Sequence, residues 1–385
     1  MTTQDPRIAV RRSSLADGRE LIYFDDADTV LGPERALDER ELDPRPATAH
    51  MRQDPLTGDW ISIAANRQNR MFLPPAHLDP LSPQSPGNPS EIPSVYDVAV
   101  FENKSPSFGP GLADDVAADA SADAITAAAA ARLAETRTIG IERSLPSIGR
   151  CEVVCFSPEH EGSFGTQSVS RARTVIEAWA HRTAELSALP GVQQVFPFEN
   201  RGEAIGVTLG HPHGQIYSYP YVTPRTQRLL DAIDDYGPTL VADHIARELD
   251  GPRVLIRGEH WSAFVPFAAR WPIEVHLVPH RHVPDLAETT LDERDELARV
   301  YLRLLRGIDA LYHTPTPYIA GWHQAPVHER RDEVRLTLQL TSPRRAADKL
   351  KFLAGSEAAM GAWIGDVTPE AQAEALRAAI ERVHV

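Results

Sequence analysis

Residues 198–215 read FENRGEAIGVTLGHPHGQ, and this stretch decides the fold. Gln193 to Phe198 has the apolar run of a strand, a glycine-containing turn follows, and the segment closes on His211-Pro212-His213. In an extended segment residues 211, 213 and 215 project to one face, because the side-chain period is 2. That predicts two imidazoles and the Gln215 amide side by side. Gly206, Gly210 and Gly214 leave room for a ligand to come close to the backbone. Pro212 fixes its own φ and restricts His211. Taken bare, the His-Pro-His triplet is either a metal-binding pair or an ordinary surface loop. An accessible imidazole beside amide donors suits covalent attack on phosphorus.

Working outward, CEVVCF at 151–156 reads as a buried strand ended by Pro158. Residues 168–188 place Val175, Ile176, Trp179 and Leu186 near helical spacing. About 120 residues later the pattern echoes: Val153-Val-Cys-Phe-Ser-Pro-Glu-His160 resembles Val275-His-Leu-Val-Pro-His-Arg-His282, allowing one gap. Each is followed by a helical pattern, the second being LDERDELARVYLRLLRGIDALY, and then by two strand-like segments. The reading is a duplicated α+β unit, strand–helix–strand–strand, in which only the first copy carries His-Pro-His. It divides the chain into a first half at 49–222 and a second at 223–385. Residues 1–48 are polar and rich in Asp, Arg and Pro and read as an arm or irregular lead-in. Asp54 to Gly58 is a turn before a strand at Asp59–Ile63, and 73–93 is a Pro- and Ser-rich loop. The Ala/Asp-rich insert at 113–136 is either helix or a mobile insertion.

Across 385 residues, 39 Lys plus Arg stand against 54 Asp plus Glu, a formal charge of −15. That is the wrong footprint for a nucleic-acid or anionic-membrane binder. No run approaches the ~20 apolar residues of a membrane helix, and the start MTTQDPRIAVRRSS lacks a secretory h-region. A cytoplasmic protein is expected. Two cysteines exclude a disulfide framework and a four-cysteine zinc ribbon. Fifteen histidines remain as the reservoir of chemistry.

The string around His213 resembles the active-site motif of the galactose-1-phosphate uridylyltransferase family, a duplicated branch of the histidine-triad superfamily. DPLTGDWISIAANRQNR, CFSPEH, FEN, GEHWSAFVPF, GWHQAP, KFLAGSE, TPEAQAEALR and RVH fall in family order, so the resemblance spans roughly residues 50–385. It implies two tandem histidine-triad-like units of α+β class, with a largely antiparallel half-barrel sheet flanked by helices. It also implies exchange of a uridylyl group between UDP-glucose and galactose 1-phosphate in two displacements. His213 aligns with the nucleophile, Gln215 with the phosphoryl donor, Asn200 with a positioning residue, and Thr208 stands where the family has serine. Arg67, Arg70, Asn103 and Gly206 match nucleotide contacts. Lys351, Phe352 and Glu357 match a C-terminal signature that closes over the hexose from the other subunit of a homodimer. Phe352 reads equally well as core, and the family's tyrosine is missing at Ser356. An adenylyl-transferring phosphorylase of ADP-sugars or dinucleoside polyphosphates, or a non-catalytic nucleotide-binding relative, are the alternatives.

The resemblance also implies two metal sites that this chain departs from. The family's zinc cysteines fall on Ser82 and Ser85, poor zinc ligands, while His160 and His211 survive at the former metal position. Cys151 and Cys155 read as small core residues on one strand face. The iron site keeps His323 of GWHQAP, but its histidine pair falls on Leu336–Gln339, which holds no histidine. Neither metal nor cofactor is expected, with His160, His211 and His323 retained structurally.

Overall fold

A computed structural model describes residues 4–43, 45, 48–65, 73–110 and 137–385. Its main sheet is built from β1 (Ala9–Ser14), β2 (Glu20–Asp25), β3 (Val98–Glu102), β4 (Arg150–Cys155), β5 (Gln194–Arg201), β6 (His213–Tyr219), β7 (Val254–Arg257), β8 (Trp261–Phe264), β9 (Ile273–Pro279), β10 (Tyr318–His323) and β11 (Thr337–Ser342). The spatial order is β1-β2-β3-β4-β6-β5-β10-β11-β9-β8-β7, and the sheet is open. Its pairings are antiparallel throughout. A smaller four-stranded sheet joins residues 50–63 to 137–146.

The duplication is visible in that order. Strand β4, helix α1 (Val169–Ser187), then β5 and β6 stack as β4-β6-β5; strand β9, helix α4 (Leu291–Tyr312), then β10 and β11 stack as β9-β11-β10. Two further helices, α2 (Pro224–Tyr236) and α3 (Leu240–Leu249), lie between the copies in the chain. The copies meet where β5 pairs with β10, with Asn200 opposite Ile319 and Phe198 opposite Gly321. Gly321 is required there: a Cβ would come within 2.4 Å of the Phe196 ring.

Local chemistry fixes both crossover helices. Ser168 caps α1 by accepting the Arg171 N–H, and Thr290 with Glu293 forms a reciprocal capping box on α4; each cap contributes about 1 kcal/mol. In α4, Leu297, Tyr301, Leu304, Leu305 and Ile308 recur at three- and four-residue spacing and are all buried. They share one core with Trp179 of α1, Trp322 of β10 and Phe164. Asp5, Arg173, Glu177 and Arg294 form a buried charge network between the helices. The opposite sheet face is covered at its ends, by the 79–96 loop on one side and by α2 and α3 on the other. Its middle strands leave a part-exposed row.

Within the stretch read as an arm or irregular lead-in, residues 9–25 form two strands of the main sheet. Leu21, Ile22, Tyr23 and Phe24 are fully buried in β2, which pairs with β3, and the backbone N–H of Asp5 reaches Glu177. The polar count hid this because β2 is covered on both faces and so shows no alternation. The 113–136 insert lies outside the described residues.

Candidate active site

Strand β6 starts at His213, which pairs with Cys155 of β4. The His213 Nδ1 lies 2.7 Å from the carbonyl oxygen of His211. A carbonyl only accepts, so Nδ1 carries the proton and Nε2 keeps its lone pair. Burial holds the His213 pKa below the ordinary histidine range, although the bond to the His211 carbonyl pulls the other way. The neutral ring, with a lone pair on Nε2, therefore persists to lower pH than a free imidazole, whose pKa is about 6.5. In a pH profile of kcat/KM for the nucleotide donor, the acid limb assigned to His213 is expected to fall below that value. A midpoint above it would contradict the assignment.

Along β6, alternate residues face the part-exposed row, placing Gln215 on the same side as His213. On β5 the same row is continued by Phe196, Phe198 and Asn200. Gln215 pairs with Phe198, and the same register continued by two residues brings Asn200 opposite His213. Gly206, at φ 85°, ends the turn at Glu203–Ile205. Thr208 lies in the following loop, its carbonyl accepting the Leu73 N–H at 2.7 Å.

His211 does not share this face. It sits in a bend before the strand, and its buried ring turns into the 79–96 loop. The extended geometry assumed for residues 211–215 begins only at 213, so the two imidazoles are not side by side. The Nδ1 of His211 lies 2.6 Å from Asp79 Oδ2, and its Nε2 lies 2.7 Å from the Ser157 carbonyl oxygen. His160 Nδ1 meets the same Asp79 oxygen at 2.9 Å. Burial would raise the Asp79 carboxyl, but the bond to His211 and its charge, the Leu81 N–H and His160 hold it well below the usual range. Asp79, His160 and His211 form a group whose donor atoms all lie within 4.8 Å. Sequence reasoning passed over Asp79; the signal available was its place at the head of the Asp-Pro stretch matching the zinc loop.

The other candidate residues fall elsewhere. Arg67 and Arg70 lie outside the described residues. Asn103 donates its backbone N–H to Cys151 and caps the Ser105 N–H with its side chain. Lys351 is buried, with its ammonium 2.7 Å from Glu357 and bonded to the carbonyls of Arg270 and Ile364, whereas Phe352 is 76% exposed. Within one protomer this trio serves the C-terminal segment, and Phe352 is not core. Cys151 and Cys155 are both buried in the sheet.

A family model for the N-terminal domain of galactose-1-phosphate uridyl transferase matches residues 120–223, and one for its C-terminal domain matches 223–385. A galactose-1-phosphate uridylyltransferase of Streptomyces lividans is 41% identical over 384 residues, covering 94% of this chain and 96% of that protein. The chain belongs to the galactose-1-phosphate uridylyltransferase family. The Thermotoga maritima member is 31% identical over 85% of this chain and 97% of its own length. A solved uridylyltransferase structure superposes with a TM-score of 0.73 at 27% identity, covering 87% of this chain and all of that one. An Arabidopsis thaliana ADP-glucose phosphorylase with bound ADP-glucose superposes with a TM-score of 0.62 at 20% identity, a likeness of fold alone.

In this family member, the open face of the second half carries a different group around His323. The Arg225 guanidinium of α2 donates to Gln339 Oε1 at 2.6 Å, Gln339 donates to Glu274 at 2.6 Å, and His276 lies 3.5 Å from Glu274. Burial, and then the nearby Arg225 charge, hold the His323 pKa well below the ordinary range. The ring stacks against Phe196 at a tilt, with centroids 5.2 Å apart.

Proposed function

We propose that His213 carries a uridylyl group between two hexose 1-phosphates. The family activity, galactose-1-phosphate uridylyl transfer, makes the chain a nucleotidyltransferase of galactose metabolism, with UDP-glucose and galactose 1-phosphate as substrates. The single observation that carries the reading is the His213 ring, tied at Nδ1 and, among the described residues, without a hydrogen-bond partner at Nε2. The Nε2 lone pair forms a bond to the α-phosphorus, and the bond to the bridging oxygen breaks, releasing glucose 1-phosphate. A phosphate oxygen of galactose 1-phosphate then attacks the same phosphorus, and the N–P bond breaks to return the electron pair to Nε2. The leaving group is a phosphate with a second pKa of about 6, so no strong general acid is needed. The imidazolium of the intermediate keeps its Nδ1 proton on the His211 carbonyl, and Gln215 on the same face donates to the phosphoryl oxygens. Asn200 and Thr208 would frame the phosphate, and the nucleotide contacts of the family would fall to Arg67, Arg70 and Asn103.

The reading is metal-free. At the second family metal position the chain supplies the cation itself: Arg225 is donor-only and always charged, so the donor set around His323 does not fit a metal. A cytoplasmic homodimer goes with this reading. The exposed apolar side chains of Phe352, Met360, Ile364 and Val367 support a second copy closing on that segment.

Incubation with UDP-glucose labelled in the uridylyl phosphate is expected to leave an acid-labile, base-stable nucleotide on the protein, released by galactose 1-phosphate. Labelling by ADP-glucose alone would replace the uridylyl reading, and no labelling by either would sink it.

A further inference from the structure

We propose that Asp79 is a positioning residue standing in for a metal: its carboxylate pins the ring of His211, whose carbonyl in turn fixes the tautomer and direction of His213. This rests on His213 being the nucleophile. The distances favour a pin over a metal site. Two ligands of a tetrahedral zinc, each about 2.0 Å from the ion, lie about 3.3 Å apart. Asp79 Oδ2 is instead 2.6 Å from His211 Nδ1, 2.9 Å from His160 Nδ1 and 2.8 Å from the Ser82 hydroxyl. These are hydrogen-bond lengths between the groups themselves, shorter than the separation of two ligands of one zinc. Ser82 occupies a family cysteine position and spends its hydroxyl on the carboxylate.

Donor arithmetic gives the same answer. His211 Nε2 faces the Ser157 carbonyl, which only accepts, so Nε2 carries a proton. The 2.6 Å contact of Nδ1 with a carboxylate oxygen requires a proton there as well. Asp79 is thus the buried acceptor that pins the His211 ring, a short contact held out of solvent. Asp79 is held in turn: Oδ1 accepts the Leu81 N–H at 2.9 Å, and its carbonyl accepts the Asn88 amide at 2.9 Å. The Tyr96 hydroxyl closes the nest, 2.8 Å from the Ser157 carbonyl and 2.7 Å from that of Leu81. The Phe156 N–H holds the Pro212 carbonyl at 3.0 Å. With the His211 ring fixed at one end and its neighbour at the other, the His211 carbonyl can point only at His213 Nδ1.

Asp79→Asn keeps the shape but puts a donor or a neutral oxygen against the His211 N–H. The expected result is a kcat loss on the order of ten- to a hundredfold, as for outer partners of a fixed histidine, with KM for UDP-glucose unchanged. Nitrogen-15 histidine spectra should show His213 passing from a single Nδ1–H tautomer to a mixture, a change that a merely structural defect would not produce. A kcat within about twofold of wild type, or an unaltered His213 tautomer, overturns the proposal. Should Asp79→Asn fail to fold, the wild-type protein decides: a His211 ring protonated on both nitrogens, in protein that keeps its melting temperature after chelation, supports the pin. One tightly held zinc per chain on Asp79, His160 and His211 overturns it. If wild-type protein never takes up the uridylyl label, the nucleophile reading falls on its own, while the His211 spectrum and the metal content still settle what Asp79 does.

Discussion

Replacing His213 with glycine is expected to abolish both the covalent label and turnover. The ring supplies the imidazole lone pair on the open row of β6 and β5, and its neighbours there, Gln215 and Asn200, are amides that cannot take its place. Removing a nucleophile of this kind costs on the order of 10⁴- to 10⁶-fold in kcat, equivalent to about 5–8 kcal/mol of barrier. The substitution should leave the fold in place. His213 is part-buried at the first position of β6, and glycine in a strand costs only about 1 kcal/mol. The check is a labelling assay run beside a circular-dichroism melt: a folded variant that still takes up the uridylyl group would refute the assignment.

The second large effect is on stability. Glu177→Ala should destabilise the chain by about 3–5 kcal/mol. Both oxygens of this buried carboxylate lie within 3.0 Å of Arg294 Nη1, Oε2 also accepts from Arg173 at 2.8 Å, and Oε1 accepts the Asp5 N–H at 3.1 Å. Truncation removes the carboxylate that faces the buried Arg294 at the junction of α1 and α4, while Arg173 keeps Asp5 and Asp295. It also releases the segment that leads into β1. Urea unfolding gives the measurement, and a change under about 1 kcal/mol would mean the arginines find other partners. Labelling per folded molecule should be unaffected, because Glu177 faces the helices, away from the row that holds His213.

Much of this architecture was readable before any coordinates. The helix pattern at 291–312 begins behind Thr290 and carries its own capping glutamate, so local chemistry alone sets its start. The His-Pro-His segment announced the strand that begins at His213, and the 120-residue echo announced the second copy. What stayed hidden depends on tertiary proximity. Asp79 is 81 residues from His160 and 132 from His211, and no periodicity reports that three such positions converge. The direction of the His211 ring was misread because strand alternation was extended two residues too far. Strand β2 escaped because burial on both faces erases the polar half of its pattern. Arg225 escaped because a basic residue in the first turn of a helix reads as surface until the fold lays it over His323.

The pairing of β5 with β10 has a consequence beyond joining two similar halves. A half-chain on its own would end in a bare strand edge, a row of unpaired amides and carbonyls that invites other chains to add on. Here each copy satisfies the other's inner edge inside one polypeptide, so the tandem arrangement guards that edge and leaves only β1 and β7 at the ends of the sheet. Such a guard does not depend on sequence at the edge. Asn200 and Ile319, opposite one another there, are left free to be chosen for what happens on the surface they share.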